Sequence, residues 1–263
     1  MATLGGVQPT DESRIREDII AHGYTVVHDV VPAATVATIR DHWLDAFAES
    51  SDTRPVIWGP YLGEVNRLVW DASPTHAFHR SYDFLWNTPL HAPTRDVGIA
   101  LSRMRNRIAE LDEREGEYLD PSCYGIYITT SYYPAGSGWM AEHEDEVDPG
   151  KRHWHFILPI TFKGEDYASG GLYLTDRNGN RVDVDAETRP GSVVFFDGTR
   201  PHGVDRIEPL PGKTCGRMQL FAIPVVMEMP HRHDRILEDM PLARYVKARL
   251  RRVRDRIRGR LPV

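Results

Sequence analysis

The pattern of apolar residues at the start of the chain predicts two helices separated by a short strand. Ile15, Ile19 and Ile20 recur at helical spacing, and the run Tyr24–Val27 that follows is typical of a strand. Pro32 begins a second helix, since proline fits the first helical turn. The apolar positions along one side of this helix are Val36, Ile39, Trp43, Leu44 and Phe47.

Aromatic residues concentrate in the next segment, residues 52–90, where no regular spacing is sustained. They are Trp58, Tyr61, Trp70, Phe78, Tyr82, Phe84 and Trp86. We interpret them as filling a core that lacks long regular elements; the alternative is that some of them line a substrate pocket. Helical spacing returns across residues 92–113. Its apolar positions are Val97, Leu101, Met104, Ile108 and Leu111.

From about residue 118 the pattern changes to short strands separated by turn residues. The predicted strands are 124–133, 153–162, 171–175, 181–185, 192–196 and 217–227. Asn178-Gly179 lies between the third and fourth strands and is a strong hairpin signal. Strands at this spacing favour a sandwich or barrel-like double sheet.

These elements predict an α+β fold that is mainly β and forms a single domain over residues 1–263. Its helical and aromatic-rich N-terminal part covers residues 11–117, and its core covers 118–228. A basic amphipathic C-terminal helix is predicted over 240–261.

Composition restricts the class of protein. Hydrophobic residues make up 41% of the 263 positions and charged residues 27%, as in ordinary globular proteins. The net charge of −6 argues against a general nucleic-acid binder, and no apolar run approaches the roughly 20 residues of a membrane span. The N-terminus lacks a signal-peptide pattern, so we expect a cytoplasmic protein in which Cys123 and Cys215 are thiols.

Three residues in two distant segments form the strongest candidate for chemistry. His143 and Asp145 are two positions apart, so on a strand their side chains point to the same side. His202 follows 57 residues after Asp145. Two imidazoles and one carboxylate leave coordination positions open, an arrangement that suits iron(II) and oxygen chemistry. The pattern is weak alone, because a chain with 12 histidines contains chance matches.

An ordered set of motifs surrounds these residues. They are Ser131–Asp145, Gly170–Leu172, Arg189–Asp197, His202–Val204 and Gly216–Phe221, preceded by Gly23–Pro32. Together they resemble the Fe(II)/2-oxoglutarate-dependent oxygenases, above all the prolyl-4-hydroxylase-like and phytanoyl-CoA-hydroxylase-like branches. The resemblance covers roughly residues 20–50 and 118–227. It implies a double-stranded β-helix, or jelly-roll, core with flanking helices.

The resemblance also implies a metal site and a reaction. His143, Asp145 and His202 correspond to the iron(II) ligands of the family. The cosubstrates are 2-oxoglutarate and O2, and decarboxylation of 2-oxoglutarate to succinate is coupled to oxidation of a substrate C–H bond. Relatives that chlorinate have a small residue in place of the carboxylate. Because Asp145 is present, hydroxylation or a related oxidation is favoured.

The cosubstrate anchor implied by the resemblance is Arg217, whose planar fork suits the far carboxylate of 2-oxoglutarate. Its distance of 15 residues from His202 is longer than is usual in the family, and a looped-out insertion at Pro209–Lys213 would account for the difference. Arg206 and Lys213 are the competing candidates. Arg206 is close in sequence to His202 and is the less suitable of the two.

Further site candidates lie near the first metal motif. Three positions that point the same way on a strand are candidates for contacting the cosubstrate: Tyr127, Ser131 and Tyr133. Trp139, on the loop that enters the metal motif, is a candidate substrate wall; the alternative is that it caps the sheet. His153 and His155 are expected to be structural or to support the ligands rather than to bind the metal.

Three functions are compatible with these residues. The leading hypothesis is a stand-alone oxygenase of a small molecule, in natural product biosynthesis. The alternatives are a hydroxylase of a peptide or protein side chain and a jelly-roll binding module without turnover. For the C-terminal helix, packing on its own domain or on a second subunit is favoured over binding to an anionic partner.

Overall fold

The computed structural model describes five stretches of the chain, residues 9–50, 52–54, 65–117, 125–145 and 153–225. The α-helices in these stretches are α1 (Pro9–His22), α2 (Ala33–Ala48) and α3 (Ala92–Ile108). The strands are β1 (Tyr24–Val27), β2 (Arg67–Ser73), β3 (His76–Phe84), β4 (Gly125–Tyr133), β5 (Trp139–His143), β6 (Trp154–Pro159), β7 (Tyr167–Thr175), β8 (Arg181–Asp183), β9 (Val193–Asp197), β10 (His202–Pro209) and β11 (Arg217–Val225). A short 3-10 helix covers Val184–Glu187.

The strands lie in two layers of a curled, largely antiparallel sheet. One layer has the order β1-β9-β6-β11-β4-β3, and the other has the order β5-β10-β7-β8. Strand β3 pairs with both β4 and β5 and so joins the layers, while β2 pairs with β3. From β4 onwards the chain passes repeatedly from one layer to the other. This is the double-stranded β-helix that was predicted from the sequence.

The helices cover the outer face of the first layer and bury the largest apolar core. Helix α3 packs against β4, β6 and β11. On α1, Ile15 and Ile19 are buried in this core, whereas Ile20 is 51% exposed. Helix α2 contributes its apolar face, in which Val36, Ile39, Trp43 and Phe47 are buried as the sequence pattern predicts.

Alternation along β11 separates this outer core from the space between the layers. Met218 and Leu220 lie in the core beneath the helices. Because successive strand residues point to opposite faces, Arg217 and Gln219 face the space between the layers, where both are buried. We call this space the interior. It contains the polar side chains on which a site depends.

The aromatic-rich segment is more regular than its sequence pattern suggested. Its residues 67–84 form the hairpin of β2 and β3. Phe78, Tyr82 and Phe84 lie at even-numbered positions of β3 and so share one face of the strand. Tyr82 stacks on Tyr127 of β4 with ring centres 5.3 Å apart. Contacts between neighbouring strands therefore determine this hairpin. The spacing of residues within the segment does not reveal those contacts. Trp58 and Tyr61 lie outside the described residues.

Other predicted elements are confirmed with small shifts. The hairpin around Asn178-Gly179 forms between β7 and β8. The third helix ends at Ile108 rather than near residue 113, and Glu110 just beyond it has a positive φ of 61°. Within the described stretches, none of the helices has the length and apolarity that crossing a membrane requires.

Two predictions concern residues that are only partly described. The C-terminal helix over 240–261 and Cys123 lie outside the described residues. Cys215 is a free, partly buried thiol, as expected. The single-domain organisation of the whole chain stays a prediction.

Candidate metal centre

The three predicted metal ligands meet at one end of the second layer. His143 is the last residue of β5 and pairs with His202, the first residue of β10. Asp145 lies two residues beyond the end of β5, so the expectation that it shares a strand with His143 is wrong. Its position is fixed instead by its backbone N–H, which donates to the carbonyl of Gly198, 2.8 Å away, in the turn between β9 and β10.

The side chains of these residues are close enough to share one ion. One nitrogen each of His143 and His202 and one oxygen of Asp145 all lie within 4.8 Å of one another. The Nε2 atom of His202 is 3.7 Å from Oδ2 of Asp145, and the imidazole ring centres are 4.2 Å apart. The structure therefore brings together all three residues of the predicted triad.

Backbone carbonyls fix the tautomer of both histidines. Nδ1 of His143 lies 3.0 Å from the carbonyl oxygen of Ala141, and Nδ1 of His202 lies 2.9 Å from that of Arg200. A carbonyl can only accept, so each Nδ1 carries a proton, and the neutral form of such a ring has its lone pair on Nε2. This is the state in which histidine binds a metal. The donor set, two imidazoles and one carboxylate, fits iron(II).

The protonation states agree with this assignment. Burial lowers the pKa of His202 to about 4, so the ring is neutral at pH 7. Burial alone would raise the pKa of Asp145. The hydrogen bond from His155 and the neighbouring imidazoles outweigh burial and bring that pKa below its ordinary value, so Asp145 is ionised at neutral pH.

Two further histidines on or next to β6 face the same carboxylate. The Nε2 atom of His155 lies 2.7 Å from Oδ2 of Asp145, and that of His153 lies 4.0 Å from it. Asp145, His153 and His155 thus form a second group whose ligand atoms lie within 4.8 Å. Nε2 of His155 already bonds the carboxylate. Within the described part of the chain, the Nδ1 atoms of these two histidines bond no carbonyl, so we favour His143 and His202 as ligands.

Arg217, the predicted cosubstrate anchor, is 1% exposed and forms a paired contact with Asp185. Its Nε lies 2.5 Å from Oδ2 of that carboxylate, and its Nη2 lies 2.9 Å from Oδ1. Its Nη1 donates to Gln219. Gly171, part of the Gly-Gly motif, makes room for this pair, since a Cβ there would lie 2.1 Å from Oδ2 of Asp185. The fork of Arg217 is thus engaged within the protein.

The three polar candidates on β4 all face the interior. Their register partners on β11 show this: Ser131 pairs with Gln219, and Tyr133 with Arg217. Tyr127, Ser131 and Tyr133 are each 1% exposed or less. The Tyr133 hydroxyl lies 3.8 Å from the sulfur of Met140 on β5 and so spans the two layers.

Trp139 lies on β5 rather than on a loop and faces away from the interior. Its neighbour Met140 packs against the interior cluster that contains Phe78 and Tyr133. Adjacent residues of a strand alternate, and the register partner of Trp139 is Ala77, the neighbour of Phe78. This placement gives the substrate role of Trp139 no support, and the role stays a prediction.

Residues that the motifs did not reveal complete the site. Arg80 of β3 reaches the interior and donates from its Nε to the Ser131 hydroxyl, 3.0 Å away. Asp185 lies in the 3-10 helix after β8 and holds Arg217. Gly198 accepts the N–H of Asp145. None of the three belongs to a motif of charged or ligating residues, so only their contacts identify them.

Comparison with known proteins supports the fold. No family model matches the sequence, and no curated protein matches it either. A prolyl-4-hydroxylase from Pseudomonas putida is similar in structure, with a TM-score of 0.55 and 15% identity over 80% of this chain and 96% of that one.

Two further solved structures have comparable similarity. A prolyl hydroxylase of Trichoplax adhaerens, in complex with a hypoxia-inducible-factor peptide, has a TM-score of 0.52 and 11% identity over 82% of this chain and 91% of that one. SnoK, a non-haem α-ketoglutarate-dependent carbocyclase from nogalamycin biosynthesis, has a TM-score of 0.52 and 14% identity over 85% and 86%. The chain therefore has the fold of the 2-oxoglutarate-dependent iron oxygenases, as its sequence motifs indicate.

Proposed function

We propose that the protein is an iron(II)- and 2-oxoglutarate-dependent dioxygenase that oxidises, most simply by hydroxylation, a C–H bond of a small molecule. One observation carries the proposal. The ligand atoms of His143, Asp145 and His202 lie within 4.8 Å of one another, and both histidines have their tautomer fixed with Nε2 free. When bound, iron(II) supplies chelation of the 2-oxo acid and activation of O2.

The chain's own residues hold and orient this centre. His143 and His202 bind through Nε2, and the ionised Asp145 supplies the negative ligand. His155 donates to Asp145 and so fixes the orientation of the carboxylate. His202 is 7% exposed, which keeps water away from that side of the site.

The interior supplies the binding groups for the cosubstrate. Tyr127, Ser131 and Tyr133 offer hydroxyl groups from one face of β4, and two arginines, Arg80 and Arg217, reach the same space. Hydroxyls and guanidinium groups are donors that suit a carboxylate. The cosubstrate is expected to lie with its chelating end at the metal and its far carboxylate among these groups.

Two of the similar proteins act on different classes of substrate. The similarity to SnoK is compatible with a small molecule, and that to the peptide-bound prolyl hydroxylase with a peptide or protein side chain. We favour a small molecule from natural product biosynthesis. Ring closure is an alternative outcome to hydroxylation, because one of these similar proteins is named a carbocyclase. The cytoplasmic location stays a prediction.

Succinate release tests the proposal directly. Purified protein with iron(II), 2-oxoglutarate and O2 should form succinate slowly without substrate and faster with a productive one. Asp145→Ala and His202→Ala should bring succinate release to background, because each removes a ligand. His22→Ala is the matched control, since His22 is exposed. Small molecules and proline-containing peptides are then compared as stimulators of the rate.

The alternative hypothesis, a binding module without turnover, predicts the opposite results. A jelly-roll binding module would release no succinate and would bind neither iron(II) nor 2-oxoglutarate at this site. If His202→Ala binds iron(II) as tightly as the unaltered protein, the triad is not the metal site.

A further inference from the structure

Arg80 is a second arginine of the interior that the motif analysis did not assign. It pairs in register with Ser131 of β4, and its Nε donates to the Ser131 hydroxyl, 3.0 Å away. Its guanidinium carbon lies 4.2 Å from the ring centre of Phe78 and 5.6 Å from that of Phe221. Ser131 and Phe78 both belong to the interior, so the charged end of Arg80 lies between the layers.

No acidic side chain of the described residues forms an ion pair with Arg80. The charge of Asp71 raises the pKa of Arg80, but less than the neighbouring tyrosines do. The other interior arginine, Arg217, has Asp185, and the buried Arg95 has Asp83 at 2.5 Å. No carboxylate oxygen of the described residues lies within 4.0 Å of Arg80. An enclosed charge without an ion-pair partner is costly, which favours an anionic ligand as the partner. Arg80 is only partly buried, so it retains surface for one.

The surroundings of Arg80 supply further donors. Three tyrosines are close to it: Tyr82, Tyr127 and Tyr133. In each of them burial raises the pKa of the hydroxyl, and the positive charge of Arg80 is the strongest opposing influence. The hydroxyls therefore stay protonated and can donate. With the Ser131 hydroxyl they form a donor-rich pocket wall around one guanidinium, which suits a carboxylate.

Strand register places this group nearer to the metal centre than Arg217. Arg80, Ser131 and Gln219 form one row across β3, β4 and β11, and Gln219 pairs with Pro159 of β6. His155, which contacts Asp145, lies four residues away along β6, about 13 Å of strand. Arg217 lies two residues further along β11 in the direction away from His155.

We propose that Arg80, rather than Arg217, holds the far carboxylate of 2-oxoglutarate, with hydroxyl donors from the facing β4 strand. The inference rests on the proposed function and names the residue that makes the site selective for a 2-oxo diacid. Arg217 then has a structural role: its pair with Asp185 joins the two layers.

Cosubstrate selectivity tests the inference. Binding of 2-oxoglutarate and of 2-oxopentanoate, which has a methyl group in place of the far carboxylate, is measured by calorimetry without O2 in the presence of iron(II). The unaltered protein should prefer 2-oxoglutarate by about 10- to 100-fold, as expected for a charge-assisted contact. Arg80→Gln should remove most of this preference by weakening 2-oxoglutarate alone, and Arg80→Lys should restore part of it.

Controls separate this role from a merely structural one. Arg206→Gln, at an exposed arginine of β10, should leave the preference unchanged. A loss of thermal stability in Arg80→Gln with the preference intact would overturn the inference, as would loss of the preference only in Arg217→Gln. If the unaltered protein with iron(II) binds neither acid, the proposed function itself fails. An effect of Arg80→Gln on a later-identified substrate alone would also count against the inference.

Discussion

At the residue scale, the candidate metal centre depends on close approach as well as on its ligands. Gly198 lies in the turn between β9 and β10, directly against the site. A Cβ added there would lie 2.7 Å from Oδ2 of Asp145 and 2.6 Å from Cδ2 of His155. Both distances are well below ordinary van der Waals contact, so any side chain would displace the carboxylate or the imidazole that holds it.

Gly198→Ala should therefore lower iron(II) affinity by about 10- to 100-fold, the usual effect of disturbing a group that orients a ligand. Affinity is measured by calorimetry under anaerobic conditions. Gly164→Ala is the control, since Gly164 has a positive φ of 83° but nothing within 4 Å of an added Cβ. The control should lose some stability and no metal affinity. Equal metal affinity in both variants would mean that Asp145 is not a ligand in this position.

At the scale of elements, charge pairs and ring stacks connect strands and helices that are distant in sequence. Arg217 begins β11, and Asp185 lies after β8, so their buried contact ties the first layer to the second. Tyr167 donates to the same carboxylate, 2.6 Å away. Helices α2 and α3 are linked in a similar way by Trp43, whose Nε1 donates to the Thr94 hydroxyl.

Asp185→Asn should lower the free energy of unfolding by about 3–5 kcal/mol, because it leaves Arg217 buried without its counter-ion. Urea denaturation measures this. Arg181→Met removes one partner of an exposed pair with Asp205 and should change stability by no more than about 1 kcal/mol. An Asp185→Asn variant as stable as Arg181→Met would show that the buried pair is not needed to join the layers.

The contact between α2 and the start of α3 should depend on pH. The rings of His42 and His91 stack with centres 3.9 Å apart, and burial lowers the pKa of both below the ordinary 6.5. The folded state thus resists protonation at these positions. Their contribution to stability is present above about pH 6.5 and decreases as the pH falls below it.

Melting temperatures between about pH 7.5 and 5.5 check this sign, since stability should fall towards the acidic end. His42→Phe removes one titrating ring of the stack and should reduce the slope. His22→Phe, at an exposed histidine, should leave the slope unchanged. If His42→Phe has the slope of the unaltered protein, other groups are responsible for the acid sensitivity.

At the scale of the whole molecule, the metal centre joins the two layers. His143 and His202 belong to the second layer, whereas His155, which holds Asp145, comes from the first. A bound ion would therefore add a link between the layers to the β3–β5 pairing and the Arg217–Asp185 pair. Metal binding should stabilise the fold as a whole and not only the loops beside the site.

Anaerobic iron(II) at 100 times its dissociation constant should add about 2.7 kcal/mol to the free energy of unfolding. Thermal denaturation with and without a chelator measures this gain. His202→Ala should show no gain, and His22→Ala should show the full one. A gain that persists in His202→Ala would locate the metal elsewhere, for example at the group of Asp145, His153 and His155.

Much of the fold was predictable because its signals are local. The helical spacing of Val36, Ile39 and Trp43 and the turn residues Asn178-Gly179 act within a few positions of the chain, and the structure confirms both. The β2–β3 hairpin was not predicted, because its aromatic residues are matched to partners on β4. No pattern within the segment records those partners.

The sequence by itself determined most strands of the core, the helix faces and the candidate triad, since periodicity and motif order are properties of the chain. Only the tertiary structure decided which charges meet. Asp185 holds Arg217 from 32 positions away, and Arg80 reaches Ser131 from 51 positions away. Such contacts depend on the register of strands in two layers, which sets distances that sequence spacing cannot express. For the same reason the interior arginine without an ion-pair partner among the described residues could be identified only in the folded molecule.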